Sequence, residues 1–107
     1  MIHVVATITL HAGTRERFLE HFHRLEPLVR AEDGCLEYGA TIDVETSLSA
    51  QAPIRPDTVV VIEKWTGIDA LQAHLAAPHM AAYRAAVKDY VLGTELVVLA
   101  PPDQKTT

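Results

Sequence analysis

Residues 59–83 read VVVIEKWTGIDALQAHLAAPHMAAY. Four consecutive β-branched residues, Val59 to Ile62, predict a strand over 58–66 that is buried on both faces. The strand closes on Glu63 and Trp65, which lie two apart and therefore share a face with Val59 and Val61. Gly67 starts a turn. Asp69 sits in or before the first turn of a helix running to about Ala77, with Leu71, His74, Leu75 and Pro78 on its inward stripe. Pro78 suits the first position of a following helix, to about Val91, because its missing N–H is needed by no earlier turn. An apolar strand ending in a carboxylate and an indole asks for something polar inside. Burying Glu63 unpaired costs several kcal/mol, and His74 on the next helix is the expected partner.

Working outward, residues 2–10 alternate. Ile2, Val4, Ala6, Ile8 and Leu10 face one way, and His3, Val5, Thr7 and Thr9 the other, which is the period of a strand. Thr14 is the expected cap of a helix over 15–31 whose apolar stripe is Phe18, Leu19, Phe22, Leu25, Leu28 and Val29. Pro27 lies inside it, and Asp33-Gly34 ends it. Cys35 to Ile42 reads as a second strand with Leu36, Tyr38, Ala40 and Ile42 on one face. Residues 43–57 hold Ser47, Ser49, Pro53 and Pro56 without periodicity and read as a long loop. Gly93 ends the last helix, and Glu95 to Ala100 is the final strand.

The order is therefore β-α-β-β-α-β with the second helical segment broken at Pro78. This is the pattern of an α+β, ferredoxin-like split βαβ unit: a four-stranded antiparallel sheet with helices on one face. At 107 residues one domain is expected, over residues 1–100, with a polar tail over 101–107. The uncovered sheet face carries Val5, Val60 and Ile62 beside Thr7 and Thr9. That is too apolar for water, and the expected partner is a second copy packed sheet to sheet as a homodimer.

A net charge of −5 with scattered cations excludes a nucleic-acid footprint, which needs clustered Lys and Arg. No apolar run is long enough to cross a bilayer, and MIHVVATITL lacks the basic leader and cleavage site of a signal peptide. The single cysteine, Cys35, forms no internal disulfide and fits a reducing cytoplasm. No histidine pair shows the spacing of a metal site with a carboxylate nearby, so neither metal nor cofactor is expected.

At three places the chain resembles the antibiotic biosynthesis monooxygenase family of small dimeric α+β barrels. These are Gly34-Cys35-Leu36-Glu37-Tyr38, Glu63-Lys64-Trp65, and His74-Leu75-Ala76-Ala77-Pro78-His79, within a likeness that runs from Val4 to Leu99. The resemblance implies a ligand cavity between sheet and helices in each subunit. It also implies oxidation of a small electron-rich aromatic (quinol, phenol or anthrone) by O2 without metal or flavin. Three departures stand out: the long 43–57 loop, Met80 where an aromatic residue is usual, and the absence of any asparagine. Haem-degrading and anthrone-oxidising relatives use a pocket asparagine, so those sites are not copied here.

On this reading His74 is the proton acceptor and Glu63 its orienter. Trp65, Tyr83, Tyr38 and His79 are the ligand contacts, and Tyr83 rather than its neighbour Arg84 points inward. The plainer alternatives are core packing for Trp65, a structural brace for His74 and Glu63, and helix-start hydrogen bonding for His79. His3, His11, His21 and His23 read as surface residues, and Cys35 as buried and inert. Two other functions fit the same scaffold: an isomerase or lyase using His74 as base α to a carbonyl, and a non-catalytic binder of a hydrophobic small molecule.

Overall fold

The structure, a computed structural model, describes residues 1–103; most of the expected polar tail, residues 104–107, lies outside the described residues. The elements are β1 (Ile2–Leu10), α1 (Arg15–Arg30), β2 (Cys35–Thr41), β3 (Thr58–Trp65), α2 (Ile68–Leu75), α3 (Pro78–Val87) and β4 (Val91–Leu99). The strands form one sheet in the order β2-β3-β1-β4, every neighbouring pair antiparallel. The ferredoxin-like α+β fold is the one expected.

Alternation in β1 decides which side becomes the core. Ile2, Val4, Ala6, Ile8 and Leu10 are all buried, and the residues between them are not. Antiparallel register puts Ile2 opposite Trp65, Val4 opposite Glu63, Ala6 opposite Val61 and Ile8 opposite Val59. Partners in register share a face, so these rows carry the side that α1 covers with Phe18, Phe22, Leu25 and Val29. Glu63 and Trp65 thereby enter the core because of their parity with Val59 and Val61.

Several local expectations are corrected. Burial in β3 is one-sided: Val59 and Val61 are buried, whereas Val60 is half-buried and Ile62 exposed. The β-branched run reports a strand whose second face is apolar without being covered by the rest of the chain. In β2 a bulge between Cys35 and Glu37 takes Leu36 out of register; Leu36 and Ile42 are exposed while Tyr38 stays buried. Leu28 is also exposed. Thr14 does not cap α1 with its side chain; its hydroxyl donates back to the His11 carbonyl at 2.8 Å. Helix α3 stops at Val87, and β4 begins at Val91, four residues early, with Gly93 inside the strand opposite Thr9. Pairing with β1 outweighs the weak β propensity of glycine at that position. The 43–57 loop has no helix or strand, and its ends are clamped by Arg55, whose guanidinium binds both Asp43 oxygens at 2.9 Å.

Gly34 joins α1 to the sheet and sets where the preceding turn lies. Its φ is +83°, and a Cβ there would stand 2.6 Å from Ala70 Cβ and 2.7 Å from Thr66 Oγ1. Its carbonyl also accepts the Thr66 N–H at 2.9 Å. Both conformation and space demand glycine. Gly34→Ala is expected to destabilise the fold by at least about 2 kcal/mol, from left-handed strain plus overpacking. Urea denaturation of the two proteins checks this, and an unchanged midpoint would contradict it.

Candidate active site

Under the helices lies a cavity of roughly 280 Å³. Its walls come from β1 (Ala6, Ile8), β3 (Val61, Glu63), α1 (Phe22), α2 (His74, Leu75), α3 (Met80, Tyr83, Arg84), Tyr38 and the β4 residues Thr94 and Leu96. The space exists because β4 is an edge strand left uncovered by the helices. Leu96 and Val98, in register with the buried Ala6 and Val4, are both 42% exposed. The lining is apolar except for a few convergent polar groups, the usual make-up of a small-molecule site.

The polar groups have definite partners. Trp65 Nε1 donates to Glu63 Oε1 at 2.9 Å. His74 Nδ1 lies 2.9 Å from Glu32 Oε2, and His79 Nε2 lies 2.7 Å from the same oxygen. Glu32 sits in the turn after α1, His74 in the last turn of α2 and His79 in the first turn of α3. An ionised carboxylate only accepts, so this contact fixes both imidazoles: Nδ1 of His74 and Nε2 of His79 carry the protons. The remaining nitrogen of His74, Nε2, has no protein partner among the described residues. Nor do the second oxygen of Glu63 or the hydroxyls of Tyr38 and Tyr83. Since no buried side-chain nitrogen or oxygen among the described residues lacks a partner, these four atoms touch accessible space.

The expected Glu63–His74 hydrogen bond is thus replaced by two separate ones, Glu63 with Trp65 and His74 with Glu32. Trp65 is fully buried and is not among the cavity-lining residues. Its ring packs 4.7 Å from that of His74, so it backs the imidazole while holding the carboxylate. His79 also lies outside the lining set, turned toward Glu32. Tyr38 and Tyr83 both line the cavity, and so does Arg84, which sequence had set aside in favour of its neighbour. Arg84 donates to the Leu75 carbonyl at 2.5 Å. Tyr38 stacks on Phe22 with ring centroids 5.3 Å apart, and Tyr83 meets Phe22 edge-on at 6.2 Å.

Glu32 is the site residue that sequence reasoning missed. The signal against finding it was positional, since an acid in an Asp-Gly turn reads as solvent-exposed punctuation. His74 and His79 are five apart, about 140° around a continuous helix, and would not meet. The extended Ala77 (φ −65°, ψ 142°) breaks the helix before Pro78 and turns His79 back toward the same oxygen.

Burial sets the protonation of the cavity wall. Glu63 is pushed up from 4.5 to about 7, chiefly by loss of water, partly offset by the Trp65 N–H and increased again by the charge of Glu32. Burial, the leading cause, and then the Glu63 charge raise the Tyr38 phenol. Burial also raises Tyr83. Both tyrosines therefore remain neutral hydrogen-bonding groups at physiological pH. The site combines neutral phenols, a carboxyl poised near neutrality and an imidazole with a free acceptor nitrogen. Such an arrangement can remove a proton from a bound ligand and return one to it.

The chain belongs to the antibiotic biosynthesis monooxygenase family, whose profile, "Antibiotic biosynthesis monooxygenase", matches residues 1–86. It is similar to the "Probable quinol monooxygenase YgiN" of Escherichia coli strain K12, with 39% identity over 103 residues that span 94% of this chain and 98% of that one. Solved structures share the fold at lower identity. Rv0793 from Mycobacterium tuberculosis superposes with a TM-score of 0.77 at 24% identity, covering 98% of both chains. PA3566 from Pseudomonas aeruginosa gives 0.77 at 23% identity, covering 94% of this chain and 92% of its own.

Because Glu63 keeps its proton to higher pH in the folded chain than in the unfolded one, the native state holds the extra proton between 4.5 and about 7. Its contribution to stability is fully present below 4.5 and falls as pH rises through about 7. Glu63→Gln keeps an acceptor for the indole and removes the titration. Relative to wild type, the variant is expected to gain on the order of 2 kcal/mol between about pH 4 and about pH 8. Urea denaturation at both pH values measures it, and a constant difference would refute the assignment.

Proposed function

We propose that this protein is a cofactor-independent monooxygenase that oxidises a small electron-rich aromatic, of quinol type, with O2. The observation that carries the reading is His74. It is 2% exposed, pinned at Nδ1 by Glu32, without a protein partner for Nε2 among the described residues, and it lines a largely apolar cavity. Membership of a monooxygenase family and likeness to a relative named for quinol oxidation support the substrate class.

In this mechanism His74 Nε2 takes the hydroxyl proton of the bound quinol, and Glu32 steadies the imidazolium that forms. The anion gives one electron to O2 far more readily than the neutral quinol does. Superoxide and the substrate radical recombine to a peroxide, which loses water. A hydroquinone plus O2 gives a hydroxyquinone plus water, so atoms and electrons balance without an outside reductant. Protonated Glu63 is placed to return the proton that leaves with water. Tyr38, Tyr83 and Arg84 orient the ligand oxygens, and Phe22 and Met80 supply its apolar bed. Trp65 acts behind the wall by fixing Glu63 and His74. We place the reaction in the cytoplasm, in keeping with a lone unpaired Cys35.

Oxygen uptake with a panel of hydroquinones tests the reading. Wild type should consume O2, and His74→Ala should be slower by about 10²–10⁴-fold, the usual worth of a positioned base. Equal rates would remove the mechanism, and turnover in strict anaerobiosis would point instead to isomerase or lyase chemistry.

The working unit is proposed to be a homodimer. The uncovered sheet face presents Leu36, Ile62, Val97 and Leu99, each between 39% and 51% exposed, around half-buried Val5 and Val60. A contiguous apolar face of this kind is a hallmark of an association surface. Light scattering on the wild type should give twice the chain mass, and Ile62→Glu should shift it toward the monomer. A monomeric wild type at micromolar concentration would overturn the assembly.

A further inference from the structure

We propose that Glu32, His74 and His79 form a binding site for a divalent transition metal of the zinc type, and that metal seated there moves the remaining His74 proton onto the cavity-facing nitrogen. The expectation that no histidine pair meets a carboxylate fails once the chain folds. Glu32, His74 and His79 each offer a ligand atom within 4.8 Å of the other two, with Glu32 Oε2 contacting Nδ1 of His74 and Nε2 of His79. They come from three different elements that converge on one point. Two imidazole nitrogens and one carboxylate oxygen are the donor set that zinc and its neighbours prefer.

The dimensions are compatible. A tetrahedral zinc with bonds of about 2.0–2.1 Å holds neighbouring ligand atoms about 3.4 Å apart. Here the two carboxylate contacts are 2.9 and 2.7 Å, drawn in by the protons they share, and small rotations of the side chains open them. A route exists, because His79 is 25% exposed while Glu32 and His74 are 13% and 2% exposed. Metal arrives from the His79 side, and water or an external ligand completes the coordination there. Trp65 and Tyr38 pack on the His74 ring at 4.7 and 5.4 Å, which holds its plane in place.

The consequence follows from tautomer chemistry. Neutral His74 carries one proton, on Nδ1, when Glu32 accepts it. Metal requires the Nδ1 lone pair, so that proton leaves and the neutral ring carries its single proton on Nε2. The nitrogen facing the cavity changes from acceptor to donor. That this silences turnover rests on the function proposed above; the site and the tautomer change do not.

Chelator-treated full-length protein is titrated with Zn2+ against a chromogenic competitor, and with Co2+ as an optical probe. One equivalent per chain and ligand-field bands typical of low coordination are expected. Glu32→Gln and His79→Ala should each weaken binding by more than the about 10–100-fold that loss of an outer-shell partner costs, with circular dichroism confirming that both fold. Long-range ¹H–¹⁵N spectra of the imidazoles on wild type alone should show His74 and His79 perturbed by Zn2+ and the His74 proton on Nε2. Absence of binding, binding retained by both variants, or perturbation confined to His3, His11, His21 and His23 would overturn the site. A His74 proton still on Nδ1 in the zinc-bound protein would overturn the tautomer change. If zinc binds as described but no quinol is ever oxidised, the metal site stands and the proposed activity falls.

Discussion

A single carboxylate oxygen organises this molecule. Oε2 of Glu32 meets the protonated nitrogens of two imidazoles, 2.9 Å from His74 and 2.7 Å from His79. The contact ties the turn after α1 to both halves of the broken helix and selects one tautomer for each ring. Charge-assisted hydrogen bonds of this sort are roughly twice as strong as neutral ones and highly directional. They brace the α2–α3 break, alongside the Arg84 bond to the Leu75 carbonyl, and fix the proton of the imidazole over the cavity. Gly34, two residues further on, is the backbone condition for the arrangement, since it lets the turn pass tightly against Thr66 and Ala70.

The second polar element of the core is the Glu63–Trp65 pair, a hydrogen bond of 2.9 Å between side chains two apart on one strand. The indole satisfies one carboxyl oxygen and leaves the other without a protein partner among the described residues. Loss of water then outweighs the indole N–H and lifts the carboxyl to about 7. Trp65 contributes its N–H to Glu63 and its ring face to His74. Two polar groups of the same cavity are therefore held by different partners, Glu63 by Trp65 and His74 by Glu32. Such separation lets one wall offer both a proton and a place to put one.

Much of this was legible in the chain. The period-two pattern of residues 2–10, the β-branched run before Glu63, and Pro78 opening a helix were enough for the β-α-β-β-α-β order and the ferredoxin-like sheet. Parity along β3 also placed Glu63 and Trp65 inward with Val59 and Val61. Tyr38 and Tyr83, both singled out from the chain, line the cavity. The misses have common causes. Leu36 was misplaced by a bulge that periodicity cannot show. The start of β4 was misjudged because Gly93 reads as a stop until β1 offers it a partner. Glu32 was missed because nothing local distinguishes a turn acid facing solvent from one facing two imidazoles.

The sequence by itself determined the elements, their order and the buried side of the sheet, because those follow from repeats a few residues long and from the steric limits of glycine and proline. Tertiary structure alone decided which carboxylate holds which ring. Glu32 is 42 residues from His74, and Glu63, much nearer in the chain, bonds the indole instead. Hydrogen-bond pairing depends on distances of a fraction of an ångström between elements that meet only after packing. Spacing along a chain carries no information at that scale across a break such as Ala77–Pro78.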